Sequence, residues 1–391
     1  MSVTTMIGTS FLRNLRYLMI VCGIWQLPYF TSSNVQKIYH CYSLFLHVFF
    51  YSVCFLMCLE FFFLLDHDVK EITDNARITI SVTLVAIKGY TFQGKKVTKI
   101  LELIIKNEEN AVLQDSKELF TIKVRLVKYI DRFAIGVVLL TETTTFVLVG
   151  GTVIGSVTLN DTSVTGRPMM LLAHFPFDQQ AHYFLSLLIQ GLFVLIASMY
   201  FCMSQIFNIS VILFVKAQLK SLQHKFKNFD YFKGGDRSDL EHTIWLTKCH
   251  QSVIMLVRAL NEAMEPLLLL EFSLSSINIA TVAFQAISAR TLSDGMFCAC
   301  YLVVLFSQLN LLAWYGNEIY LESMAVSDSV YESSWVNKSI EVKTILRLII
   351  LRAQRPLALN IGPFLPLTTY AAIAVIKSAY SFITVMKRTD Y

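Results

Sequence analysis

Long apolar segments alternate with shorter polar ones along this chain, and such segments have few stable structures open to them outside a bilayer. A helix that crosses the hydrocarbon core needs roughly 20 mostly apolar residues. The sequence therefore predicts an all-α, polytopic membrane protein. The clear candidate spans are residues 40–65, 133–154, 184–215, 266–289, 296–319 and 364–386.

The composition agrees with a membrane protein and argues against a soluble one. Of the 391 residues, 55% are apolar and 16% are charged, whereas a typical soluble domain is about 45–50% apolar and about 25% charged. The basic residues lie between apolar runs, so the net charge of +5 gives no reason to expect a nucleic-acid partner.

A weaker apolar segment at residues 76–92 contains Arg77 and Lys88, and the distribution of basic residues decides whether it spans. Basic residues concentrate in cytoplasmic loops. If this segment is a span, the successive polar segments contain three, one, nine, one, eight, one and five Lys or Arg residues. This alternation predicts seven transmembrane helices, with the N-terminus cytoplasmic and the C-terminus extracellular.

The loops follow from the same topology. The loop 155–183 is expected outside the cell, where the N-D-T sequon makes Asn160 a candidate glycosylation site. The basic segments 95–132 and 216–264 have Leu and Ile at helical spacing, so both are expected to be helical extensions of the spans into the cytoplasm. Residues 17–28 resemble the apolar part of a signal peptide but lack a cleavage site, so a membrane-associated segment is predicted.

The chain accordingly divides into five parts. These are a cytoplasmic or membrane-associated N-terminal segment (1–39), spans one to four with their outer loop (40–215), a cytoplasmic helical extension (216–264), spans five and six with a cytoplasmic region (265–363), and the last span with a short outer tail (364–391).

The sequence carries no motif for catalysis. Glycine-rich phosphate loops, the serine-hydrolase motif and the zinc-protease motif are missing. Glu60, Glu142 and Glu271 lie inside spans, but no two of them have catalytic spacing. The eight cysteines lie mostly in apolar runs without paired CxxC spacing, which favours packing over metal binding. We predict no enzyme activity, no catalytic residues, no cofactor and no metal.

Two spans contain residues that favour a role in binding or conduction. The third span has a run of hydroxyls around Glu142, from Thr141 to Thr145, which either lines a small cavity or hydrogen-bonds to the helix's own carbonyls. The last span is rich in small and polar residues, which suits a pore-lining helix or a tightly packed core helix.

The C-terminal third carries a series of short motifs. They are WYGNEI at 314–319, ES at 322–323, YESSW at 331–335, RAQRPL at 352–357 and KSAYSF at 377–382. Their order and spacing resemble the signature of the insect odorant receptors. The segment PFD at 176–178 is similar to part of that family's second outer loop.

The resemblance implies a ligand-gated, non-selective cation channel in the plasma membrane of olfactory sensory neurons. Members of this family form tetramers around a pore lined by the seventh helix, with a cytoplasmic anchor built from the inner ends of helices four to seven. Most open only with the co-receptor Orco. Because the segment 216–264 lacks the long insertion of Orco, this chain resembles the ligand-tuning subunit of a heterotetramer. Its partners would be Orco, a small volatile odorant, the lipid bilayer and permeating cations.

The resemblance also indicates where a ligand and a gate would lie. By position, the pocket falls in the outer half of the bundle, in segments 76–87, 141–150, 184–195 and 298–305. The residues predicted to contact the odorant are Thr79, Ile80, Thr83, Thr143, Phe146, Gly150, Leu188, Gly191 and Tyr301. For the gate, the family pattern implies an apolar constriction at Ile373, or at Ile376 if the alignment shifts, with Lys377 near the outer mouth.

Two other functions stay open at this point. A gustatory-type receptor would have the same architecture with a different C-terminal signature. A seven-helix G-protein-coupled receptor would have its N-terminus outside the cell.

Overall fold

The computed structural model describes residues 13–24, 33–66, 69–112, 117–158, 167–229, 236–289 and 291–389. Over these ranges the chain is almost entirely helical. Its helices are α1 (Arg13–Val21), α2 (Ser33–Phe63), α3 (Val69–Phe92), α4 (Lys95–Val112), α5 (Lys117–Thr158), α6 (Tyr183–Lys227), α7 (Asp236–Ser288), α8 (Leu292–Tyr331), α9 (Ile340–Ala353) and α10 (Thr369–Thr389). A short antiparallel hairpin, β1 (Asn360–Ile361) and β2 (Leu365–Pro366), precedes α10, with Asn360 opposite Pro366.

Seven of these helices coincide with the seven predicted spans. Among the described residues, α2 and α5 to α8 are long and apolar enough to cross a membrane. The apolar part of α10, Thr369–Val385, is shorter. The 24-residue helix α3 covers the weaker candidate segment, whose charged residues lower its hydropathy. The basic segments beyond the spans are helical as expected, since α6 continues to Lys227 and α7 begins at Asp236.

The longest helix, α7, runs through a proline without ending. Pro266 lies inside its 53 residues, although the sequence suggests that a span begins there. A proline removes the backbone hydrogen bond to the carbonyl four residues earlier. That carbonyl belongs to Glu262, and the Lys96 side chain of α4 donates to it at 3.3 Å. The lysine therefore supplies a partner for the carbonyl that the proline leaves free.

The helix α6 is the centre of the molecule. From residue 202 to residue 215 every one of its side chains is buried, so this stretch has no lipid-facing or water-facing side within the single subunit. A helix that is buried all round must be enclosed by other elements. The helices α3, α5, α7 and α8 pack around it.

The last helix, α10, rests on α7 and α8 through one face. Its buried residues Ala371, Ala372, Val375 and Ala379 are small, which allows close approach of the helices. The hairpin before it is tied to α7, because the Asn360 backbone N–H donates to the Asn261 side chain at 2.7 Å. The opposite face of α10 is exposed in the subunit.

Candidate functional site

A cavity of about 100 Å³ lies between α3, α5, α6 and α8. Its walls are mostly aliphatic and aromatic with a few hydroxyls, a composition typical of sites for small molecules. The lining residues are Ile78, Ser81, Val82 and Val85 of α3, Thr141, Thr144, Thr145 and Leu148 of α5, Phe193, Val194, Ala197, Ser198 and Phe201 of α6, and Phe297, Tyr301 and Val304 of α8.

Helical periodicity explains why these residues share one cavity. Residues three, four and seven positions apart lie on one face of an α-helix. The lining residues of α3 begin at Ile78 and recur at those intervals, and those of α5 begin at Thr141 and do the same. Each helix therefore offers a single stripe of side chains to the cavity.

Hydrogen bonds join the helices beside the cavity. The Tyr301 hydroxyl of α8 lies 2.5 Å from Ser81 Oγ and 3.2 Å from the Arg77 carbonyl oxygen of α3. The Asn278 amide of α7 also donates to Ser81 Oγ, at 2.6 Å. Tyr301 thus lines the cavity, and its hydroxyl links α8 to α3 and, through Ser81, to α7.

The hydroxyl run on α5 both lines the cavity and hydrogen-bonds to carbonyl oxygens of its own helix. Thr144 lines the cavity, and its hydroxyl donates to the Leu140 carbonyl oxygen at 3.0 Å. Glu142, within the same run, accepts a hydrogen bond of 2.8 Å from Ser198, another lining residue. Within the described ranges, no three His, Cys, Asp or Glu side chains are placed to hold a metal ion.

The cavity lies between the four helices that the sequence singles out, but most of the individual residues differ. Of the nine predicted odorant contacts, Tyr301 lines this cavity. Phe146 and Leu188 are 77% and 60% exposed on the outside of the subunit. Thr143 is exposed and donates to the Leu139 carbonyl oxygen. The remaining residues, which also lie outside the cavity lining, are Thr79, Ile80, Thr83, Gly150 and Gly191.

The predicted gate residues lie on α10. Ile373 and Lys377 are one turn apart on its exposed face, and Ile376 is half-buried beside it. Asn160, the candidate glycosylation site, lies outside the described residues.

Comparisons with known proteins relate this sequence and its architecture to one family. Residues 68–380 match the family model described as 7tm odorant receptor. The chain is 27% identical over 177 residues to odorant receptor 30a of Drosophila melanogaster, covering 45% of this chain and 46% of that protein. It is 29% identical over 185 residues to odorant receptor 10 of Aedes albopictus, covering 46% and 49%. Each match thus spans about half the length of the curated relative.

A solved structure shares the fold over nearly the whole length. The insect olfactory receptor OR5 from Machilis hrabei superposes with a TM-score of 0.79, covering 96% of this chain and 97% of that chain at 15% sequence identity. The same receptor in complex with eugenol gives a TM-score of 0.78. Because the family model spans most of the sequence and the fold agrees along its length, this chain belongs to the insect odorant receptor family.

Proposed function

We propose that this chain is the ligand-tuning subunit of an odorant-gated, non-selective cation channel in the plasma membrane of olfactory sensory neurons. The observation that carries the proposal is the apolar cavity between α3, α5, α6 and α8. The structural relative OR5 is known in complex with eugenol, a small volatile, which supports a ligand of the same class here. The co-receptor Orco would supply the other subunits of a heterotetramer.

The size of the cavity indicates a small ligand. An engineered protein cavity of roughly 150 Å³ is large enough to bind benzene. The cavity of this chain measures about 100 Å³. It therefore suits a compact volatile, or a larger one after the side chains rearrange.

Opening would follow from a difference in affinity between two states. A ligand shifts an equilibrium only by the free energy with which it prefers one state. The cavity-lining helix α8 also contacts the start of the last helix, because Gly316 packs against Leu367 just before α10. Movement of α8 on ligand binding would reach α10 through this contact and move Ile373, our proposed constriction, relative to the pore axis. Ile376 and Lys377 would lie on or beside the same pore surface.

A cavity-filling substitution tests the binding site. Ala197 lines the cavity, so Ala197→Leu would occupy space that the ligand needs. The test uses cells that express this chain with Orco and a panel of volatiles. We expect the variant to need at least a tenfold higher odorant concentration to evoke the same current. Normal responses from a variant with normal surface expression would contradict the site.

Two exposed residues give matched controls. Leu188→Ala removes as much side-chain volume as Ala197→Leu adds, and Phe146→Ala removes more, but both residues lie outside the cavity. We expect both variants to keep the sensitivity of the wild-type subunit.

A further inference from the structure

A second, smaller cavity lies next to the first. It measures about 30 Å³ and lies between α5, α6 and α8. Thr141, Phe201 and Val304 line both cavities, so the two cavities adjoin at these side chains. We call the larger cavity the apolar chamber and the smaller one the inner chamber.

The inner chamber differs from the apolar chamber in its chemistry. Two glutamines line it, Gln205 of α6 and Gln308 of α8. The Gln205 amide nitrogen and the Gln308 amide oxygen are buried, and neither has a hydrogen-bond partner among the residues that the structure describes. A buried amide atom without a partner costs free energy, so a ligand or a water that supplies the missing partner is stabilised at this position.

The orientation of Gln308 follows from its neighbour. Its amide nitrogen donates to the Glu271 carboxylate, and a carboxylate that is ionised only accepts. The amide oxygen is therefore the end left over as an acceptor. Gln205, which is 5% exposed, offers a donor from the opposite helix.

We propose that the inner chamber is a hydrogen-bonding subsite for the oxygen of an oxygenated volatile whose hydrocarbon part occupies the apolar chamber. A hydroxyl group satisfies both glutamines, because it accepts from Gln205 and donates to Gln308. A carbonyl oxygen satisfies Gln205 alone, and a hydrocarbon satisfies neither. The inner chamber, at about 30 Å³, exceeds the roughly 10–15 Å³ of cavity volume that one water-sized group needs. The proposal rests on the apolar chamber being the ligand site, and it adds the chemical class of the ligand.

A series of probes with the same number of carbon atoms tests this ranking. We would measure the thermal stabilisation of purified subunit by 1-pentanol, 2-pentanone and pentane, and the currents that they evoke with Orco. We expect apparent affinity to fall in that order. One neutral hydrogen bond corresponds to roughly a tenfold change in affinity or less. If a water molecule stays bound in the inner chamber, pentanol and pentane should bind with equal affinity. That result would overturn the proposal.

The variant Gln205→Leu removes the unpartnered donor and keeps an apolar side chain of similar size. We expect it to lower the affinity for pentanol by up to about tenfold and to leave the affinity for pentane unchanged, so that the preference for the alcohol is reduced. Equal changes for both compounds, or none for either, would overturn the subsite. The thermal stability of the empty variant shows whether it folds.

The two proposals fail in different ways. If Ala197→Leu leaves the affinity for both pentanol and pentane unchanged, the apolar chamber is not the ligand site. If Ala197→Leu weakens both compounds and Gln205→Leu weakens neither, only the inner subsite is wrong.

Discussion

One ion pair lies in the interior of the helical bundle. The Lys88 ammonium of α3 lies 2.9 Å from the Glu271 carboxylate of α7, and the two side chains are only 3% and 2% exposed. The Gln308 amide of α8 donates to the same carboxylate oxygen. Burying two charges costs several kcal/mol per ion, which only close pairing and further hydrogen bonds offset. The ion pair and Gln308 together link α3, α7 and α8. Loss of either charged residue would leave the other charge buried without a partner.

Removing one charge is predicted to be worse than removing both. Lys88→Met or Glu271→Leu alone should lower the free energy of unfolding by about 3–5 kcal/mol, because each leaves an unpaired buried charge. The double variant should recover most of that loss. Thermal unfolding of the purified protein, followed by size-exclusion chromatography, measures all three. A double variant as unstable as the singles would contradict this interpretation.

At this scale the sequence predicts the helices around the cavity better than the residues that line it. In a soluble helix the apolar stripe marks the buried face, but a helix between lipid and protein is apolar on both sides. Thr143 and Thr144 are neighbours in one hydroxyl run, yet Thr144 lines the cavity and Thr143 is exposed. The partnership of Lys88 and Glu271 likewise depends on residues far apart in sequence, and neither residue carries a local signal for the other.

At the scale of elements, contacts in the structure explain several motifs of the C-terminal third. Gly316 lies where α8 meets Leu367, and a methyl group at this position would come within 2.5 Å of the Leu367 side chain and 2.9 Å of its carbonyl oxygen. Glu322 pairs with Lys220 of α6 at 3.1 Å, and Ser323 accepts from the Leu357 backbone N–H at 2.9 Å. The contacts of Gly316 and Ser323 hold the segment that leads into α10, and the pair of Glu322 with Lys220 joins α8 to α6.

The close approach at Gly316 makes a prediction. Gly316→Ala should destabilise the protein by roughly 1–3 kcal/mol, because the added methyl group forces the leucine and its backbone away from α8. Gly136→Ala is the matched control, since an added methyl group there meets nothing within 4 Å. Unfolding of the two variants under the same conditions gives the comparison. Equal stability of both variants would show that the contact tolerates a larger separation.

The exposed face of α10 leads to a second prediction at the scale of elements. If Ile373 forms the constriction, Ile373→Ala should raise the current without odorant in cells that also express Orco, because a narrower side chain leaves a wider, more easily wetted pore. Val385→Ala, near the end of the same helix, serves as the control. An unchanged baseline current and unchanged gating in Ile373→Ala would rule out this residue as the gate.

For the molecule as a whole, the sequence predicts the fold class well. The all-α, seven-helix membrane architecture and the family are confirmed by the family match and by the shared fold. Membership in a receptor family also agrees with the prediction that the chain is not an enzyme. The extent of α7 was harder to predict, because Pro266 normally ends or kinks a helix and its compensation by Lys96 is visible only in three dimensions.

The orientation in the membrane stays a prediction of the basic-residue pattern, with a direct test. An epitope tag at the N-terminus should stain only after the cells are permeabilised. A glycosidase should shift the electrophoretic mobility of the wild-type protein but not that of Asn160→Gln. A tag that stains on intact cells would reverse the proposed orientation.

The complete burial of α6 between residues 202 and 215 has a consequence for divergence among related receptors. Apart from Gln205 and Ile209, which line the inner chamber, a residue in that stretch is packed against neighbouring helices, so its substitution disturbs several of them at once. A cavity-lining position instead borders empty space on one side. Duplicated genes of this architecture should therefore accumulate changes around the cavity faster than along the central helix. New ligand preferences could then arise while the assembly of the bundle is preserved.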